Sequence, residues 1–145
     1  MLADDEAYAA KAAAVSDATL DVAEYVTRVC AERAVILDKA LDVDQVAWHA
    51  PCTLQHGQRI TGLVEEVLRL AGYELVPVKD SHLCCGSAGT YSALQPEMAG
   101  ELARRKVAAL ESHGPDVIAT ANVGCQTHLA NNSSVPVVHW IELLK

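Results

Sequence analysis

The sequence predicts an α/β fold: a short, mostly parallel four-stranded sheet with flanking helices, preceded by an N-terminal helical segment. Three observations point this way. Beyond Asp44, short apolar and β-branched runs alternate with stretches of helical period. No Asn-Gly or Asp-Gly pair separates those runs, so the hairpins of an antiparallel layout have no signal. Before Leu41 the chain is rich in Ala, Asp and Glu and holds neither Gly nor Pro. With 145 residues it can bury one proper core, and the change in composition divides it into a helical segment, 1–43, and an α/β domain, 44–145.

In the first segment Leu20, Ala23, Val26 and Val29 recur at helical spacing, with Ser16 or Asp17 as candidate caps. An amphipathic helix of this kind must cover the following domain or a partner. Residues 45–49 form the first strand. A helix over 57–71 follows, because Ile60, Leu63, Val64, Val67, Leu68 and Ala71 fall on one face and Gly72 suits its C-terminal end. The second strand spans 74–78, and a loop over 84–89 leads to a helix over 96–112. Pro96 suits the first turn of that helix and Gly114 lies beyond its end. Residues 116–121 form the third strand, 125–130 a short helix and 135–139 the fourth strand, before a closing helical turn over 140–144. Helices between strands require right-handed crossovers and a sheet covered on both faces.

Charge and cysteine content narrow the chemistry. A net charge of −8 argues against nucleic-acid or anionic-membrane partners. No apolar run reaches the roughly 18 to 20 residues of a membrane span, and the acidic, alanine-rich start does not resemble an export signal. A soluble, cytoplasmic protein is expected, whose five cysteines stay reduced. Cys30, on a helical stretch, has the setting of a small buried hydrophobe. The other four share a pattern. Cys52 follows strand one, Cys84 and Cys85 follow strand two, and Cys125 follows strand three, so all four fall at the carboxyl edge of the sheet, where open parallel sheets bind ligands. Inert core thiols have no reason to choose one edge three times. The pattern predicts a metal centre.

The neighbours suit such a centre. Pro51 stiffens the approach to Cys52. Gly86 and Gly89 let backbone N–H groups turn toward sulfur, Ser87 and Thr90 add hydroxyls, and Gly124 allows close packing before Cys125. Gly86, Ser87 and Gly89 are therefore the candidate cofactor-binding residues. His128 stands three residues after Cys125, on the same face of a helix, and is the candidate nitrogen ligand. His49, His56, His82 and His139 also fall near this edge and suit ordinary hydrogen-bonding roles, while His113 suits a helix end. The Gly-Ser-Ala-Gly of 86–89 lacks the lysine of a phosphate loop, and no G-x-G-x-x-G follows the first strand. A Cys125–histidine nucleophile pair would leave Cys52, Cys84 and Cys85 unexplained.

The runs His49-Ala-Pro-Cys52, Leu83-Cys84-Cys85-Gly86-Ser87-Ala88-Gly89-Thr90-Tyr91 and Thr120-Ala-Asn-Val-Gly-Cys125-Gln resemble the cysteine-rich CCG domain. That family includes the cysteine-rich component of heterodisulfide reductase, lactate-utilisation proteins and anaerobic glycerol-3-phosphate dehydrogenase. Cys52-Thr-Leu-Gln-His-Gly-Gln, Leu94-Gln-Pro-Glu97 and Pro136-Val-Val-His-Trp-Ile-Glu-Leu-Leu144 extend the likeness to the C-terminal part of glycolate oxidase (glycolate dehydrogenase) iron–sulfur subunits. The resemblance implies an iron–sulfur cluster in a flavin-dependent complex that oxidises glycolate, and electron transfer from flavoprotein subunits toward a membrane acceptor. It also implies a ferredoxin-like partner domain carrying 4Fe–4S clusters, and a place in the cytoplasm, peripheral to the inner membrane through the complex. The ferredoxin motifs are absent from these residues, so a fragment or separated domain is expected, inactive on glycolate alone. The family's closing C-x-x-C reads Cys125-Gln-Thr-His128 here, which leaves the cluster type open. Two other readings stand beside the redox one: a structural zinc module using His128, and a metal-free interaction domain that docks the flavoprotein subunits.

Overall fold

The computed structural model describes residues 2–145, which fall into two compact units that part between Val35 and Ile36. The first holds two helices, α1 (Ala9–Ala18) and α2 (Val22–Arg33). Neither Ser16 nor Asp17 caps the second of them. Thr19 is extended and ends α1, and Asp21 starts α2 by accepting from the Ala23 N–H at 2.9 Å while Glu24 reaches back to the Asp21 N–H at 2.8 Å. This reciprocal capping box satisfies donors that would otherwise be orphaned, and it sets the start four residues later than Asp17.

The second unit is built on four parallel strands in the order β2-β1-β3-β4: β1 (Gln45–His49), β2 (Glu74–Leu75), β3 (Val117–Thr120) and β4 (Val137–His139). The two central strands are buried throughout, apart from Gln45, as parallel strands covered on both faces must be. They pair from Val46↔Val117 to His49↔Thr120, and Thr120 pairs onward with His139. The helices are α3 (Leu63–Leu70), α4 (Tyr91–Leu94), α5 (Pro96–Glu111) and α6 (Val123–Ala130). The chain leaves β1 toward β2 on one side and reaches β3 and β4 on the other. Right-handed crossovers therefore put α3 on one face and α5 and α6 on the opposite face. The packing agrees: Val107 and Leu110 of α5 and Leu129 of α6 share a core cluster with Ala47 and Ile118. Between β1 and β3 the connections diverge to opposite faces, which opens a crevice at their carboxyl ends.

The expected helix over 57–71 is shorter in the structure. A π-helical turn, Thr53–Gln58, comes first. Arg59 (φ 60°) and Gly62 (φ 84°) then take left-handed conformations that a right-handed helix cannot contain, so α3 begins at Leu63. Its end follows expectation. Gly72, at φ 96°, donates to the Arg69 carbonyl and Tyr73 to the Leu68 carbonyl, a Schellman closure. The outer strands are also shorter than expected, since Pro77 follows β2 and Pro136 precedes β4, and neither offers an N–H to a ladder. The short helix α4 had no clear sequence signal. At the chain end, Trp140 and Leu143 are fully buried, and the Tyr73 hydroxyl donates to the Leu143 carbonyl at 2.9 Å. Among the described residues no helix is long and apolar enough to cross a membrane.

Candidate metal centre

Each cysteine is held by its own local device. Cys52 caps the π-helical turn that follows β1. Cys84 and Cys85 lie in the loop before α4, where Gly86 (φ 93°) turns the chain so tightly that a Cβ there would stand 2.6 Å from the Ala99 carbonyl oxygen. The Gly86 N–H donates to the Cys84 sulfur at 3.3 Å. Cys125 lies in the first turn of α6, whose cap is Asn122: the Asn122 side chain accepts from the Gly124 N–H at 2.9 Å and the Cys125 N–H at 3.2 Å. Gly124 leaves room for Ser87, whose Oγ would be 3.0 Å from a Cβ added there.

These devices converge at the crevice. Cys52, Cys84 and Cys125 line one cleft of about 330 Å³, together with Ser87 and Gly89. Cys85 is buried, and its sulfur lies within 4.8 Å of both the Cys125 sulfur and a ring nitrogen of His49. His128 is turned elsewhere: its Nε2 donates to the Ala99 carbonyl at 3.2 Å. His56 bonds the His82 carbonyl, and His139 caps the closing helical turn. Cys30 lies on α2.

The thiols do not titrate alike. Cys85 is held well below the ordinary thiol range, chiefly because Cys125 donates a hydrogen bond to it. Burial opposes that effect, while the closeness of the His49 ring, which makes no hydrogen bond of ordinary geometry, and the Ser87 N–H add to it. Cys125 is pushed up, by its hydrogen bond to Cys85 first and by burial second. Burial and then the neighbouring Cys84 push Cys52 up to about 11.

Two residues that the sequence pattern did not put forward as ligands belong to the surroundings of the site. Lys106 is buried, and its Nζ donates to the carbonyls of Asp80 and Ser81, both at 2.9 Å. Burial lowers its pKa, while the charges of Cys85, Cys52 and Cys84 pull it back up, and it lines a cleft together with Cys84. The signal was present: Lys106 interrupts the apolar stripe of Ala99, Ala103, Val107 and Leu110 on α5. The second residue is His49. It is 1% exposed, and neither ring nitrogen has a hydrogen-bond partner. Each buried polar group left unsatisfied costs about 1–3 kcal/mol. Strand alternation puts His49 on the same face as Ala47, toward α5 and α6.

Four thiols and a partnerless buried imidazole form a soft donor set. It fits zinc or an iron–sulfur centre and not magnesium or calcium, which take oxygen ligands. A parallel sheet with thiols gathered at its switch point defines a cysteine-rich α/β domain. The chain belongs to the CCG cysteine-rich domain family, whose model matches residues 46–130. It is 48% identical to the glycolate oxidase iron–sulfur subunit of Escherichia coli K12, over all of this chain and 35% of that protein. Lactate utilization protein A of Bacillus velezensis is 29% identical, over 97% of this chain and 60% of its own length. Lactate utilization protein A of Bacillus subtilis is 26% identical, over 97% of this chain and 60% of its own length. The chain thus spans only part of the curated relatives it matches.

Proposed function

We propose that this chain is the cysteine-rich domain of an iron–sulfur electron-transfer subunit in a flavin-dependent, glycolate-oxidising complex. The observation that carries this reading is the convergence of Cys52, Cys84, Cys85 and Cys125 on the crevice between β1 and β3. In the proposal these four thiolates hold the centre, which when bound supplies a carrier of single electrons. The protein's own residues set the conditions. The N–H groups of Gly86 and Ser87 act on the sulfurs of Cys84 and Cys85, and donors of this kind raise a reduction potential. Lys106 lines a cleft with Cys84 and is held there by the Asp80 and Ser81 carbonyls, and Cys85 is buried.

Glycolate would lose its two electrons and two protons at the flavin of partner subunits. This domain would then receive electrons singly, together with a ferredoxin-like iron–sulfur domain. The complex would work in the cytoplasm or at the inner surface of the membrane. Glycolate as the parent substrate is supported by the 48% identity to a glycolate oxidase subunit.

A structural zinc module that docks the flavoprotein subunits is the second reading. It is favoured by the nitrogen and sulfur donors of His49, Cys85 and Cys125, which lie within 4.8 Å of one another and are of the type that zinc takes. Anaerobic reconstitution with iron and sulfide, followed by titration with a chemically reduced flavin, separates the two. Visible absorption that bleaches on reduction and returns on oxidation supports the electron-transfer role. A colourless protein that takes up zinc alone rejects it in favour of the structural one.

A further inference from the structure

We infer that His49, at the end of β1, supplies an imidazole ligand to the centre proposed above; the inference rests on reading the four cysteines as metal ligands. His49 is the last residue of β1, at the switch point itself. It is 1% exposed, so bulk solvent does not reach it, and neither Nδ1 nor Nε2 meets a protein partner. One ring nitrogen lies within 4.8 Å of the sulfurs of both Cys85 and Cys125. Its register partner Thr120 on β3 is also fully buried, with an unpartnered hydroxyl. Two adjacent strands therefore end in buried polar atoms with nothing in the protein to bond. Buried polar groups are otherwise nearly always paired, and a ligand supplied from outside the chain resolves the exception at His49.

His128, three residues beyond Cys125, is the less suitable nitrogen donor. Its Nε2 is already committed to the Ala99 carbonyl, and it lies outside the group formed by His49, Cys85 and Cys125. Nitrogen ligation from β1, rather than from α6, has an electronic consequence. A neutral imidazole where related centres hold an anionic thiolate raises the reduction potential.

The test loads the full chain anaerobically with cobalt(II) and, separately, with iron and sulfide, then measures imidazole nitrogen coupling by pulsed electron paramagnetic resonance. Wild type and His128→Ala should show the coupling. His49→Cys should still bind metal but show no coupling, and His49→Ala should bind cobalt(II) more weakly by at least the roughly 10–100-fold that loss of a ligand's neighbour causes. Coupling that survives in His49→Cys, disappears in His128→Ala or is absent from metal-loaded wild type overturns the inference. Should His49→Cys fail to fold, a variant combining His56→Gln, His82→Gln, His113→Gln, His128→Gln and His139→Gln decides, because it must keep the coupling. The two metals separate this inference from the reading beneath it. Cobalt(II) bound with nitrogen coupling, but no uptake of iron and sulfide, supports His49 and rejects the iron–sulfur centre. Cluster uptake without nitrogen coupling does the reverse, and a wild type that binds neither metal overturns both.

Discussion

At Gly86 the backbone, not a side chain, makes the site. Its φ of 93° lies where L-residues are strained, and a Cβ would press on the Ala99 carbonyl oxygen at 2.6 Å. Gly89 shares a positive φ, 61°, but has open space around it. Gly86→Ala should therefore cost about 2–4 kcal/mol of stability, from left-handed strain plus the clash, and Gly89→Ala only about 1 kcal/mol. Urea unfolding of the metal-free variants gives both numbers, and equal costs would contradict the close approach of this loop to α5. At the same scale the sequence was uneven. Four cysteines could be assigned to one edge because each follows a strand, and a strand end is legible from pattern alone. His49 was given an ordinary hydrogen-bonding role, because a histidine with a partner and one without look the same in a sequence. His128 drew attention through its spacing from Cys125, yet spacing says nothing of a competing carbonyl on α5.

Among the elements, hydrophobic period located every strand and missed where several helices begin. The stripe from Ile60 to Ala71 is real, but Gly62 breaks the backbone within it and Arg59 just before it, and no apolar period reports a left-handed residue. Asp116 sets the start of β3 in a comparable, side-chain-driven way. Its carboxylate accepts from the Gln45 N–H at 2.8 Å and the Asp44 N–H at 3.0 Å, tying β3 to the start of β1. These bonds, that from Gln45 foremost, favour the charged form and lower its pKa below the ordinary 3.8. A depressed folded-state pKa gives stability that is fully present above the unfolded value and lost as pH falls through the folded one. Asp116→Asn should thus be less stable than wild type at pH 7, with the gap closing as pH falls through the lowered folded-state pKa. Chemical denaturation across that range checks the sign, and a gap independent of pH would rule out the charge as its source.

For the molecule as a whole, the order β2-β1-β3-β4 turns three separate loops into one site. The chain departs from β1 and β3 to opposite faces, and the crevice between them collects Cys52 from one connection and Cys125 from the other. The parallel sheet and its placement of thiols were legible because helix-separated strands permit few topologies. The depth of burial of Lys106 and His49 was not, since it depends on how α5 and α6 settle on the sheet. The chain matches 35% of a glycolate oxidase iron–sulfur subunit's length, and its cleft is lined by thiols and glycine turns. On the proposed function the isolated chain should show no glycolate-dependent dye reduction, and flavoprotein subunits added without a ferredoxin-like domain should not restore it. Turnover by the chain alone would require a catalytic site elsewhere.

Iron and acid-labile sulfide, counted per chain after anaerobic reconstitution, test the central claim most directly. Wild type and Cys30→Ser should take up iron and sulfide together and turn brown, whereas Cys52→Ser, Cys84→Ser, Cys85→Ser and Cys125→Ser should each lose most of both. Wild-type protein that stays colourless, or a Cys30→Ser variant that loses as much as the other four, would contradict the assignment of the crevice as an iron–sulfur centre.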